Sequence, residues 1–266
     1  MLQKYKTTSN KWSGLINIIH FSDVAKLPIF RTLLLINMLQ TAKNLIDLFF
    51  PKVCYSCNTL LTDNEKYVCT DCRHDLPVTN FHHSGDDFVL KIFYGRVKIE
   101  QATALLRFRK KDIVQQLLHN LKYRGYEDIG IFLGDWLGEE LKTIENYNFI
   151  EAVIPVPLHK KKLKKRGYNQ VAKFGKHIAD ALNCEYLDNV LIKISDTESQ
   201  VFKGRFARWS NSNEVFSIQN KHLIGGKHIL LVDDIITTGA TIESCVNVLN
   251  QANGLKISVA SMAIAN

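Results

Sequence analysis

The sequence predicts an α/β protein, a parallel sheet flanked by helices and preceded by a small metal-stapled module. Three observations carry that expectation. The apolar runs EAVIPVP (151–157) and ILLV (229–232) lack the alternation of a half-exposed strand and suit strands buried on both faces. Amphipathic stretches with apolar residues at helical spacing follow each of them. Four of the six cysteines form two CxxC pairs, Cys54/Cys57 and Cys69/Cys72, ahead of the α/β pattern.

Length and composition fit that plan. The 266 residues suffice for one large domain and a small module. A hydrophobic content of 46% and a charged content of 23% are ordinary for a globular chain. The net charge of +8 is unevenly placed, because residues 1–44 hold six Lys/Arg against Asp23 alone. It is therefore weak evidence for nucleic-acid binding by the folded core. The apolar run LPIFRTLLLINML is interrupted by Pro28, Arg31 and Asn37 and falls short of the roughly 20 residues of a membrane span. No small-residue cleavage site follows it, so a cytoplasmic protein without a membrane span is expected.

Three segments are expected: an extension and helix at 1–48, a double-CxxC module at 49–85, and the main domain at 86–266. Residues 1–26 show no clear period and predict little fixed structure. Leu35, Met38, Leu39, Ala42, Leu45, Ile46 and Phe49 recur at helical spacing. A helix packed on the next module is preferred to a membrane-surface helix, whose polar face would need more basic residues. Met38 is an alternative start, which would make residues 1–37 an extension.

In CYSCNTLLTDNEKYVCTDC (54–72) an eleven-residue gap separates the two CxxC pairs. Each pair offers two thiolates to one ion, and two such knuckles complete a tetrahedral site. Cys54, Cys57, Cys69 and Cys72 therefore predict structural zinc, which stabilises a module too small for its own core. Four thiolates leave no open position for catalysis. His74, His82 and His83 lie close enough to replace a cysteine, but are expected on the surface. Cys184 and Cys245 sit in helical patterns and read as small core residues.

Along the main domain, FVLKIFY (88–94) predicts a short strand and IEQATALLRF (99–108) another. DIVQQLLHNLKY (112–123) and IGIFLGDWLGEELK (129–142) predict helices. LKYRGY (121–126) between them reads equally as a helix C-cap or as a functional surface. The prolines of EAVIPVP end that strand sharply, so LHKKKLKKRGYNQ is expected as a carboxyl-end loop able to line a site. Most of its lysines read as a solvated face. Arg166 is the best candidate to meet a pyrophosphate or a nucleic-acid backbone. Then follow a helix at 171–182, a strand-like LDNVLIKIS (187–195), a polar and basic loop DTESQVFKGRFARWSN, an extended NEVFSI (213–218), and a final strand at 256–265.

The most informative stretch is ILLVDDIITTGAT (229–241). Its apolar run enters Asp233 and Asp234, and a Thr/Gly turn then opens a helix. Backbone N–H groups and a positive helix end at the strand's carboxyl edge suit a phosphate. Adjacent carboxylates suit the vicinal hydroxyls of a sugar. Local chemistry thus predicts a ribose-5-phosphate cradle. A receiver domain also contains LVDD, but only 32 residues follow Asp234, too few to complete that fold.

This stretch resembles the phosphoribosyl-pyrophosphate (PRPP) loop of type I phosphoribosyltransferases. The resemblance implies that Asp233 and Asp234 hold the ribose hydroxyls, while Thr237, Thr238, Gly239, Ala240 and Thr241 wrap the 5′-phosphate. With the zinc-ribbon-like CxxC pairs, LKYRGY, IPVPLHKKKLKKRGYNQ and FKGRFARWSN, the motif order over about residues 45–266 resembles the ComF family. These are competence-associated proteins with a phosphoribosyltransferase domain. The resemblance implies a type I phosphoribosyltransferase-like sheet, a pyrophosphate loop with Pro157 and Arg166, and a flexible loop with Thr197, Gln200 and Arg205. It also implies Mg²⁺-bound PRPP and catalytic roles for Asp233, Asp234 and Arg166. IPVP and LVDD are similar to glutamine amidophosphoribosyltransferases too. That enzyme needs a glutaminase domain, for which no room is expected before Cys54. Two functions follow: phosphoribosyl transfer to an acceptor such as a nucleobase or amine, or a single-stranded-DNA accessory of the competence machinery. Tyr123, Tyr126 and Tyr168 are the stacking aromatics of the second.

Overall fold

The computed structural model describes residues 38–41, 45, 47–194 and 215–265. The chain divides into two compact units, Met1–Lys52 and Val53–Asn266. In the first, residues 38–41, 45 and 47–49 are helical, in keeping with the period read there.

The second unit is a parallel α/β sheet with helices on both faces. Its sheet runs β1 (Ala102–Phe108), β7 (Lys256–Ala265), β6 (His228–Ile236), β2 (Ala152–Pro155) and β3 (Glu185–Tyr186), in that spatial order. Every pairing in it is parallel. β4 (Leu191–Ile194) and β5 (Val215–Ile218) form a separate antiparallel pair. Ile229, Leu230, Leu231 and Val232 are fully buried, as an unbroken apolar run requires when helices cover both sides.

One face carries α4 (Ile113–Tyr123), α5 (Asp128–Leu141) and α7 (Ala172–Leu182). The other carries α8 (Ala240–Leu249), the β4–β5 pair, α2 (Phe81–Ser84) and α3 (Phe88–Lys91). α5 and α7 pack closely because Gly130, Gly134 and Gly138 line one face of α5. A Cβ on Gly134 would lie 2.7 Å from the Phe174 carbonyl oxygen, and one on Gly138 2.8 Å from the Ala181 Cβ.

Two elements differ from expectation. FVLKIFY forms α3 and a turn rather than a strand. Val89 and Phe93, four residues apart, are the buried pair, and that spacing is helical; a run this short fits either period. Within the expected loop after β2, Lys160–Arg166 forms a helix, α6. His159 Nδ1 accepts from the Lys161 amide at 3.2 Å, and Gly167, at φ +87°, closes the far end. Six of its seven residues are Lys or Arg, and those long side chains are good helix formers despite their charge.

Candidate functional site

Sheet topology fixes where a ligand can sit. From β2 the chain crosses through α7 to β3 on one side. From β6 it crosses through α8 to β7 on the other side and by the opposite face. The carboxyl ends of β2 and β6 therefore form a topological switch point, where α/β sheets open a crevice. Pro155 pairs with Val232 as the last register of β2 against β6. The next residues on β6 are Asp233 and Asp234.

Both aspartates are nearly buried, 8% and 5% exposed, yet neither is left among apolar groups. Asp234 Oδ2 is 2.7 Å from Lys122 Nζ and accepts from Gln170 Nε2 at 2.8 Å. Asp233 Oδ1 accepts the Asp234 amide at 2.8 Å. Gln170 in turn accepts a hydrogen bond from Arg166, whose guanidinium lies 5.6 Å from the Tyr123 ring centroid. Tyr168 donates to the Leu121 carbonyl, and burial pushes its pKa up. Asn169 Nδ2 donates to the Val156 carbonyl at 3.0 Å. LKYRGY, KKRGYNQ and LVDD, far apart in sequence, thus meet in one network around Asp234.

Beyond the acids the backbone turns sharply. Thr237 and Thr238 are exposed. Gly239 has φ +75°, and a Cβ there would lie 2.7 Å from Phe93 Cε1, so both conformation and space demand glycine. The amides of Thr237, Thr238 and Gly239 form no hydrogen bond among the described residues. Ala240 N approaches Thr238 Oγ1 at 3.4 Å. The Thr238 carbonyl is held by Arg96 Nη1 at 2.7 Å, and Arg96 is also paired with Glu243. The turn is thus braced through its carbonyl side, leaving N–H groups beside the start of α8 for an anion.

Pro157 follows β2 and is half-buried. Thr197, Gln200 and Arg205 lie outside the described residues. Lys122 and Gln170 escaped the sequence reading as partners of Asp234, since nothing in their local pattern points across the fold to residue 234. Surface cavities of about 350 and 520 Å³ lie elsewhere, one beside Phe149, His228 and Lys256, the other beside Ser56, Lys111 and His119. Neither includes a residue of the cradle.

The cysteine module forms a second centre. One sulfur from each of Cys54, Cys57, Cys69 and Cys72 lies within 4.8 Å of the other three. A bridge between Val53 and Leu60 bends the first knuckle back; α1 (Thr70–His74) carries Cys72. Amides face the sulfurs, with Cys69 N at 3.3 Å from Cys54 Sγ and Cys72 N at 3.5 Å from Cys69 Sγ. Thr59 beside Cys57 lowers that thiol's pKa to about 6. Four converging sulfurs with N–H partners fit one tetrahedral metal ion. The module docks through Asn120 Nδ2, which donates to the Tyr55 carbonyl at 2.7 Å, and through Tyr55 stacked on Tyr126 at 4.5 Å. His82 departs from the expected surface position: its side chain is fully buried and its Nε2 is 2.8 Å from Glu140 Oε2.

Comparison with known proteins agrees with this fold class. Residues 172–265 match the phosphoribosyl transferase domain family. Competence protein ComFC of Bacillus subtilis is 28% identical over 222 residues, covering 80% of this chain and 83% of that protein. DNA utilization protein YhgH of Escherichia coli O157:H7 is 24% identical over 146 residues, covering 54% of this chain and 63% of that one. Among solved structures, the glutamine PRPP amidotransferase of B. subtilis is similar at 18% identity and a TM-score of 0.38, covering 54% of this chain and 30% of that chain. Fold and matched domain define the class: a protein with a phosphoribosyltransferase-type domain behind a four-cysteine module. Within that class, the chain resembles the ComF-type competence proteins.

Proposed function

We propose that the cradle at the carboxyl end of β6 binds PRPP and that the protein transfers its phosphoribosyl group to a nitrogen acceptor. One observation carries this reading: the Asp233–Asp234 pair sits at the switch point, just before a turn in which the Thr237, Thr238 and Gly239 amides form no hydrogen bond among the described residues. The ribose hydroxyls meet the two carboxylates, with Lys122 and Gln170 holding Asp234 in place. The 5′-phosphate meets the Thr237–Thr241 turn. Arg166 faces the pyrophosphate side. In the reaction the bond from the anomeric carbon to pyrophosphate breaks, and a bond to the acceptor nitrogen forms. Catalysis comes from positioning and from offsetting charge on the leaving group. Mg²⁺ bound with PRPP would neutralise part of that charge, usually keeping several waters. Zinc is the ion that fits the four-cysteine cluster, and its role there is structural.

Calorimetry with Mg²⁺–PRPP tests the cradle. Saturable binding is expected, weakened about tenfold to a hundredfold in Asp233→Asn and Asp234→Asn, the range for losing a charged hydrogen bond. Equal binding by wild type and both variants sinks the reading. Pyrophosphate release with a panel of bases and amines tests transfer separately.

A second reading, a protein that handles single-stranded DNA, has its own support. Tyr123 is 69% exposed, with the Arg166 guanidinium near its ring and the His119 ring 5.0 Å away. This aromatic surface lies beside the lysines of α6, as a base-stacking platform on a basic groove would. Tyr126 and Tyr168, by contrast, are engaged in packing. The two readings are compatible.

A further inference from the structure

We propose that His82, His83 and Glu140 form a second metal site, for a divalent ion of the zinc, cobalt or nickel class. Ligand atoms of these three residues all lie within 4.8 Å of one another. They come from two elements, α2 and the last turn of α5. His82 is fully buried, Glu140 is 24% exposed at its side chain, and His83 is exposed. The set is therefore anchored on one side and open to solvent on the other.

Both anchored ligands already have the outer partners that metal ligands need. His82 Nδ1 lies 3.0 Å from Thr103 Oγ1, which turns Nε2 toward Glu140. Trp136 Nε1 donates to Glu140 Oε1 at 2.7 Å, leaving Oε2 for the site. The His83 ring lies 4.6 Å from the His82 ring, inclined by 46°. A simple hydrogen-bonded pair accounts for His82 and Glu140, but gives His83 no reason to converge on them. Two imidazoles and one carboxylate form the donor set of an open zinc site, with water completing the shell; nitrogen ligands disfavour Mg²⁺ and Ca²⁺.

Thr103 pairs with Ala260, and Ala260 with Val232 just before the acid pair, so the two sites stand level along the sheet but two strands apart, one at the edge strand β1 and the other on β6. A bound ion would tie α2, just after the cysteine module, to the end of α5. Its role is to brace the fold, and it stands independently of PRPP binding.

Zinc stoichiometry of the full chain tests this, measured by ZnCl₂ calorimetry, with thermal unfolding alongside. His83→Ala removes an exposed side chain, and Glu140→Gln keeps an acceptor for Trp136, so both variants should fold. Each is expected to bind one zinc fewer than wild type, and excess zinc should raise the wild-type Tm more than theirs. Equal stoichiometry in wild type and either variant overturns the site.

Discussion

At the scale of single residues, Asp234 is the point where the site and the fold depend on each other. Its carboxylate is almost buried and answers to one ammonium and one amide. Lys122→Ala leaves that charge with less compensation. Losing one partner of a buried pair costs about 3–5 kcal/mol, and less is expected here because Lys122 remains 23% exposed. A denaturant midpoint should therefore fall, by about 1–3 kcal/mol in stability, and PRPP binding should weaken with it. Lys122→Ala combined with Asp234→Asn should cost less than the two single losses added together, since the variants share one interaction. His228 supplies a pH test. Burial chiefly lowers its pKa from 6.5, against the raising influence of Glu100 and Glu151, while Lys256 lowers it further. A lowered folded pKa means that the unfolded chain binds more protons, so stability present above pH 6.5 is lost as pH falls through the folded value. Unfolding followed from pH 8 to 5 should show that decline, and His228→Gln should flatten part of it.

At the scale of elements, the α5–α7 pair shows a requirement for smallness. Gly134→Ala would place a methyl 2.7 Å from a backbone carbonyl. Overpacking typically costs about 1–3 kcal/mol, against about 1 kcal/mol gained from helix propensity. A lower Tm is expected for Gly134→Ala. Gly225→Ala, which meets nothing within 4 Å, should leave Tm nearly unchanged. The same scale explains the two misread elements. Apolar residues over a few positions satisfy helix and strand periods alike, so burial of Val89 with Phe93 decided α3. A run of lysines carries no periodic signal, so caps at His159 and Gly167 decided α6.

For the whole molecule, the cysteine module and the α/β domain act as one folding unit. Cys54, Val68 and Cys69 belong to the same buried cluster as Leu117, Leu121 and Phe174. If the cluster holds zinc as proposed, Cys57→Ser is expected to weaken zinc binding and to unfold the module, seen as a drop in Tm and as exposure of the Tyr55–Tyr126 stack to fluorescence quenchers. Retention of the ion at wild-type affinity would refute the four-thiolate site. The basic face gives a second test. Neutralising Lys161, Lys162 and Lys165 together should weaken single-strand binding and lower its salt slope by about 2, at roughly 0.7 per phosphate contact. Among the described residues no helix is long and apolar enough to cross a membrane.

The sequence by itself determined the buried strands, the long helices of the main domain, the acid pair before the Thr/Gly turn and the grouping of four cysteines. Each is a local pattern, in which neighbours along the chain carry the physical signal. Tertiary structure alone decided that Lys122 and Gln170 hold Asp234, that Gly134 must be glycine, and that His82 is buried against Glu140. Those contacts join residues many positions apart, and chain connectivity cannot report which side chains a folded sheet brings together.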